Sequence, residues 1–316
     1  MKAGISVVIP AYNREQFIKE AIQSVLDQGY DGPLEIIVSD DGSTDGTISV
    51  ATSFSDKVKI IRKPVGCKTQ GVAGTRNRGI KACSQPFICF LDSDDFYLPG
   101  HLKRMASVFE KEPELGFAFC RSLEFKIENT AKLFKPWTRD RLFKNDIKNP
   151  VISRSKIVNT NSFIFRKEVF DTVGDFNEAY SNGEDGDLWM RISEQFKGKF
   201  VNHFGTAYRT NHGINQLTKN SRSQINECSF LIFEDAKNRY YKLKLNDSRR
   251  IFKIKYNLLR LKYRNNNNKK FSYYFRYLSI IIRYPTGYFQ KLLESFYVNK
   301  EKKGRGNWSN LEKYIS

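Results

Sequence analysis

Ile5-Ser6-Val7-Val8-Ile9-Pro10-Ala11-Tyr12-Asn13 decides how the chain begins to fold. The apolar run Ile5 to Ile9, closed by a proline, has the pattern of a short strand buried on both faces. Behind it Phe17, Ile18, Ala21, Ile22 and Val25 recur at spacings of three and four, the period of a helix with one buried side. The unit then repeats. Leu34 to Val38 predicts a second strand, the polar loop Ser39 to Thr44 follows it, and Thr47 to Phe54 begins a helix. Val58 to Ile61 predicts a third strand. A loop from Gly66 to Gly74 leads to a helix through Ala82, and Pro86 to Leu91 predicts a fourth strand that runs straight into Asp92.

Strands alternating with helices at this spacing predict a parallel, doubly wound sheet, whose ligands gather at the carboxyl ends of the strands. Polar residues stand at those ends: Tyr12 and Asn13 after the first strand, Asp40 and Asp41 after the second, Asp92, Asp94 and Asp95 after the fourth. Further along, Asn161 to Phe165 predicts a strand and Lys167 to Val173 a helix closed by Gly174. Leu188 to Phe196 predicts another helix, with Glu184 and Asp185 just ahead of it.

The chain has 316 residues, 40% of them hydrophobic, enough to bury a substantial core in one large domain or two smaller ones. Cys67, Cys83, Cys89, Cys120 and Cys228 are an odd number without C-x-x-C spacing, and no signal peptide precedes them. They are expected to be reduced thiols of a cytoplasmic protein. The best apolar run near the end, Leu278 to Ile282, is flanked by Arg276 and Arg283 and is too short to span a bilayer. The net charge of +19 is unevenly spread: Ser229 to Ser316 holds 21 Lys and Arg against 6 Asp and Glu, leaving only +4 for the rest. Such a tail meets something anionic or tolerates a strong positive field. Its apolar and basic pattern, broken at Asn246 to Ser248, Asn265 to Asn268 and Pro285, predicts several helices. The segment 301–310 is polar and is expected to be poorly ordered.

Phe90-Leu91-Asp92-Ser93-Asp94-Asp95 concentrates three carboxylates at a strand end, where they repel unless a cation or hydrogen-bond donors offset them. Hard oxygen ligands suit Mg2+ or Mn2+, and a pair of protein ligands leaves places for diphosphate oxygens and water. The alternative is an acidic turn that caps the next helix.

Four motifs in register carry a resemblance. Ser6 to Asn13, Val38-Ser39-Asp40-Asp41-Gly42-Ser43-Thr44-Asp45, Gly74-Thr75-Arg76-Asn77-Arg78-Gly79 and Phe90 to Asp95 together resemble the nucleotide-sugar half of glycosyltransferase family 2. A fifth, Gly183-Glu184-Asp185-Gly186-Asp187-Leu188-Trp189-Met190-Arg191, is similar to the acidic motif that supplies that family's catalytic base. The resemblance covers roughly residues 4 to 215. It implies the GT-A fold, a Rossmann-like mixed sheet flanked by helices, followed here by a basic, mainly helical C-terminal region. The implied division is 1–228 for the transferase domain, with nucleotide-sugar (1–100) and acceptor (101–228) halves, and 229–316 for the tail.

Carried onto this chain, the resemblance implies that Pro10 and Tyr12 lie against the nucleotide base and that Asp41 accepts its ring N–H, which favours uracil. Asp92 would hold the ribose or assist the metal, Asp94 would ligate Mn2+ or Mg2+, and Arg76 would sit near the donor. Asp185 would be the general base, with Glu184 as the alternative. His212 and Arg209, in a loop following the base helix, would contact phosphate. The implied reaction transfers a sugar from a UDP-sugar, with inversion, to a saccharide or lipid-linked acceptor, in cell-surface polysaccharide or glycolipid synthesis.

Other classes fit less well. A dinucleotide-binding dehydrogenase needs G-x-G-x-x-G after the first strand, where Pro10-Ala11-Tyr12-Asn13 stands. Gly74-Thr75-Arg76 imitates a sugar nucleotidyltransferase loop, but follows the third strand and not the first. The basic tail would suit a nucleic-acid binder, yet no nucleic-acid motif accompanies it, and a catalytically inactive sugar-binding protein would not need the carboxylates at Asp92, Asp94 and Asp185. For the tail, the expected roles are packing on the catalytic part or on a second subunit, or peripheral contact with an anionic membrane. His101 and His203 receive no role.

Overall fold

The computed structural model describes residues 2–67, 71–128, 130–136, 159–210, 222–243, 248–263, 270–285 and 311. Strands β1 (Ile5–Ala11), β2 (Leu34–Asp40), β3 (Val58–Arg62) and β4 (Phe87–Phe90) alternate with helices α1 (Ile18–Leu26), α2 (Thr47–Thr52) and α3 (Val72–Ala82). They pair in parallel in the order β3-β2-β1-β4. Every residue of β1 is buried, because helices cover both of its faces. Ile5, Val7 and Ile9 pack with Ile18, Ile22 and Val25 of α1, while Val8 faces the other way into the cluster of Ala73 and Ile80 from α3. The three-and-four spacing of α1 thus meets alternate residues of a strand.

The second half departs from the all-parallel sheet that the apolar runs alone predict. Beyond β5 (Phe96–Tyr97) and α4 (His101–Lys111), the long strand β6 (Leu115–Glu128) forms a hairpin with β7 (Ala131–Pro136). After a turn of 3-10 helix at Thr160–Ser162, β8 (Phe163–Arg166) inserts antiparallel between β4 and β6. Helices α5 (Glu168–Val173) and α6 (Glu184–Gln195) follow, and β9 (Lys197–Arg209) pairs parallel to β6 and antiparallel to β5. The sheet is therefore mixed, in the order β3-β2-β1-β4-β8-β6-β9-β5. The loop expected to hold Arg209 and His212 begins as strand: Arg209 is the last residue of β9.

Phenylalanines bind the halves together. Phe90 of β4 lies edge-on to Phe165, Phe170 and Phe176, and the Phe163 ring stacks on Trp189 of α6 at 4.9 Å. Offset and edge-to-face pairs of this kind add about 1 kcal/mol each beyond their burial. The contact with Trp189 is what seats α6 beside the ends of the strands.

Three helices of the basic region are described: α7 (Arg222–Lys242), α8 (Ser248–Tyr263) and α9 (Lys270–Arg283). Ile232, Phe233 and Ala236 of α7 and Ile254 and Leu258 of α8 form one apolar cluster with Tyr180 and Met190. Arg239 reaches Asp187 at 3.5 Å and Glu194 at 3.2 Å, and the Tyr180 hydroxyl donates to Asp235. This part of the tail packs on α6. Among the described residues no helix is long and apolar enough to cross a membrane. The asparagine run 265–268 and the segment 301–310 lie outside the described residues.

Gly79 fixes how closely α3 approaches the sheet. A Cβ there would stand 2.3 Å from Cγ1 of Val8, a stiff side chain in the centre of β1. Gly79→Val is expected to lower stability by about 2 kcal/mol through overpacking, against only a few tenths regained in helix propensity. A urea midpoint equal to that of the wild type contradicts this packing.

Candidate active site

The ends of β1 and β2 are level, since Ala11 pairs with Asp40 and the Asp41 amide donates to the Ala11 carbonyl at 2.9 Å. The two following loops are laced together. Asn13, in the left-handed region at φ 51°, accepts from the Thr44 amide at 2.8 Å, and its own amide donates to Ser43 Oγ at 3.0 Å. Pro10 is buried in β1, whereas the Tyr12 ring is 53% exposed beside it. Asp41 faces α3: it accepts from Arg78 Nη2 at 2.9 Å and the Gly71 amide at 2.9 Å, with Lys63 at 3.5 Å. A carboxylate has about four acceptor sites, so these partners orient Asp41 without exhausting it. Asp40 caps its own turn by accepting from the amides of Gly42 and Ser43.

The acidic loop after β4 sorts its three carboxylates. Asp95 is turned inward and buried, accepting from Asn161 Nδ2 at 2.6 Å and from the Arg209 amide at 2.8 Å. Burial, reinforced by the charges of Asp94 and Asp92, pushes its carboxyl well above the usual range. Asp92 and Asp94 remain nearer the surface. Asn161 also accepts from the Asp92 amide at 2.8 Å, and Arg14 Nε lies 3.3 Å from Asp94 Oδ2. Sequence reading passes over Arg14 and Asn161, because neither carries a local pattern and each acts across the sheet.

Arg76 joins this loop to α6. Its guanidinium is buried over the Phe176 ring, donating from Nη2 to Asp92 Oδ1 at 2.7 Å and from Nη1 to Glu184 Oε1 at 3.1 Å. Gly183, at φ 81°, turns the chain sharply into α6, whose first turn holds Glu184, Asp185 and Asp187. The helix begins ahead of the expected Leu188, which puts all three carboxylates at its positive end. Each has different surroundings. Glu184 is buried, and burial followed by the Asp185 charge pushes its carboxyl up to about 7, against the pull of Arg76. Asp187 is tied to Arg191 Nε at 2.8 Å and to Arg239, so it serves the packing of α6 and α7. Asp185 is only half-buried, with Oδ1 accepting from the Gly186 amide at 2.6 Å.

Of the residues expected at the phosphates, Arg209 is packed inside. It donates to the Asp94 carbonyl at 2.9 Å, pairs with Glu20, and lies over the rings of Phe17, Phe96 and Phe125. It shapes the acidic loop from behind. His212 lies outside the described residues.

The donor set at the acidic loop fits a hard divalent cation: it offers carboxylate oxygens only, and the charges of Asp94 and Asp92 add to the burial that raises Asp95. Asp92 and Asp94 are the residues that would hold it, since Asp95 is committed to Asn161 and the Arg209 amide. The three aspartates do not converge on one point. Among the described residues, the one group of three His, Cys, Asp or Glu side chains close enough to share an ion is His101, Cys120 and His203.

A parallel half with an acidic loop at its strand ends, joined through an arginine to a helix led by carboxylates, is the plan of a GT-A glycosyltransferase. The sequence model described as "Glycosyl transferase family 2" matches residues 6–174, and the chain belongs to that family of transferase enzymes. An uncharacterised glycosyltransferase of Rickettsia felis is 28% identical, over 73% of this chain and 40% of its own length. A chondroitin synthase of Escherichia coli is 27% identical, over 68% of this chain and 30% of its own. The chain thus spans well under half of the length of these relatives. The crystal structure of S. aureus TarS 1–349 in complex with UDP-GlcNAc superposes with a TM-score of 0.60 at 18% identity, covering 90% of this chain and 92% of that one. A mannosyltransferase from Pyrobaculum calidifontis in complex with GDP-Man and Mn2+ gives 0.57 at 16% identity, covering 90% and 75%. At these identities the likeness shows the fold.

Removing Arg76 strands a buried carboxylate. In Arg76→Met, stability is expected to fall by about 3 kcal/mol at about pH 8.5. The deficit has a sign in pH. The folded-state value of Glu184 is already raised, so its ionisation costs stability as pH rises toward and through about 7; without Arg76 the value is higher still. The deficit therefore shrinks on acidification to about pH 6, where Glu184 stays protonated in the variant. Urea unfolding at both pH values checks this, and a deficit independent of pH contradicts it.

Proposed function

We propose that the chain is an inverting glycosyltransferase that takes a sugar from a nucleoside diphosphate donor, a UDP-sugar, and passes it to a hydroxyl of a saccharide or lipid-linked acceptor. The observation that carries this reading is Arg76, which brings the loop of Asp92 and Asp94 and the first turn of α6 into one ion-paired network. Donor and acceptor chemistry need two acidic groups at one place with different duties, and this network supplies them.

On the donor side, the exposed Tyr12 ring offers a face for the base, with Pro10 two residues before it and Asp41 as acceptor for a ring N–H. Asp92 and Asp94 would hold Mn2+ or Mg2+. A divalent cation there supplies neutralisation of the negative charge that grows on the departing diphosphate. On the acceptor side, Asp185 takes the proton from the attacking hydroxyl. Glu184 is less suited to that duty, because Arg76 already occupies it. One base and one displacement leave no covalent intermediate, so configuration inverts. Relatives named chondroitin synthase support a polymer or glycolipid product. The excess positive charge after Ser229 supports action at the cytoplasmic face of an anionic membrane.

Two substitutions separate the duties. Asp94→Ala is expected to abolish the Mn2+ dependence of UDP binding in calorimetry. Unchanged dependence removes Asp94 from the site. Asp185→Asn is expected to bind UDP normally and lose roughly 100-fold or more in turnover, since an amide of the same shape cannot accept the proton. Turnover within a few-fold of wild type assigns the base elsewhere.

A further inference from the structure

Away from the acidic loop, three side chains far apart in sequence meet inside the second half of the sheet. His101 heads α4, Cys120 lies in β6 and His203 in β9. His101 Nδ1 and His203 Nε2 are 3.3 Å apart, Cys120 Sγ is 3.8 Å from His101 Nδ1, and the ligand atoms all lie within 4.8 Å of one another. Around a tetrahedral zinc ion, with Zn–N near 2.05 Å and Zn–S near 2.3 Å, two nitrogens stand about 3.3 Å apart and nitrogen and sulfur about 3.6 Å. The His101–His203 edge matches, the Cys120–His101 edge is within a few tenths of an ångström, and the third lies within 4.8 Å, close enough for the side chains to draw together on an ion. As a hydrogen bond, by contrast, 3.3 Å between ring nitrogens is long.

Two further features bear on the site. The space beside the cluster is kept open by Gly205: a Cβ there would fall 2.1 Å from His101 Nδ1 and 2.7 Å from Cys120 Sγ. The outer nitrogens, His101 Nε2 and His203 Nδ1, are buried and have no protein partner among the described residues, so an N–H on either is left to water once the inner nitrogens ligate.

We propose that His101, Cys120 and His203 form a Zn2+ site that staples α4, β6 and β9, with water completing the coordination past the half-buried His203. Imidazole and thiolate are borderline-soft donors, which separates this site from the carboxylates that suit Mn2+ or Mg2+. On binding, the Cys120 S–H bond breaks, the sulfur ligates as thiolate and one proton is released to solvent. The staple bears on the acidic loop: below it β9 pairs Ala207 with Phe96 and ends at Arg209, whose amide holds Asp95.

The test uses the full chain, stripped with a chelator, dialysed and titrated with Zn2+, with bound metal counted by atomic emission. One Zn2+ per chain is expected, together with a rise in thermal midpoint. Substituted Co2+ should show a thiolate-to-metal charge-transfer band. Cys120→Ser should lose the band, and it and His203→Gln should each weaken Zn2+ binding by more than about 100-fold, beyond what loss of an outer-shell partner costs. His203 is at the edge of the cluster, and circular dichroism verifies that this variant folds. Asp94→Ala should still take up the ion. No stoichiometric Zn2+ in the wild type overturns the site. So does equal uptake by wild type and His203→Gln, or uptake lost in Asp94→Ala but kept in His203→Gln.

Discussion

A buried guanidinium with a carboxylate on each side is the interaction on which the rest of this site depends. Arg76 sits in α3, in the nucleotide-sugar half of the sheet, yet it pairs with Glu184 at the head of α6, more than 100 residues away. Burying an arginine is costly, and the two carboxylates together with the Phe176 ring offset that cost. The geometry follows from the sharing. Where Asp92 goes, the first turn of α6 must follow, so the acidic loop and the carboxylate helix keep a fixed relation even though the described chain between them runs through four strands and two α-helices.

The acidic loop is held from behind with similar economy. Asn161 uses both ends of its amide, accepting from the Asp92 backbone and donating to Asp95, while Arg209 grips the Asp94 carbonyl and Asp95. Asp95 is thereby a buried support, while Asp92 and Asp94 lie nearer the surface. The α6 helix is fixed in turn by Trp189 on Phe163 and by Arg239 of α7, so part of the basic tail belongs to the framework of the site.

Much of the first half was legible in the sequence, because β1, β2 and β4 are short apolar runs that end at their polar residues, with β1 and β4 buried throughout. The second half was not. β6 and β9 are long, half-exposed along much of β9, and interrupted by register shifts near Phe119, Arg121 and Ser122, so no clean period marks them. The start of α6 was misjudged because its first turn is acidic and glycine-containing. Gly183 in the left-handed region, which launches the helix, has no apolar signal. Arg14, Asn161 and the meeting of His101, Cys120 and His203 arise only from tertiary contact. The family resemblance supplied the mixed sheet and the pairing of the acidic loop with the α6 motif, neither of which the periodicity of the chain contains.

The most direct measurement of the central claim is a crystal structure of this chain with UDP and Mn2+. Uracil is expected between Tyr12 and Asp41, the metal on Asp94 with Asp92 beside it, and Asp185 across an open space from the β-phosphate, with Arg76 still bridging Asp92 and Glu184. A diphosphate bound away from the acidic loop, or an Asp185 carboxylate turned away from that space with the nucleotide in place, would contradict it.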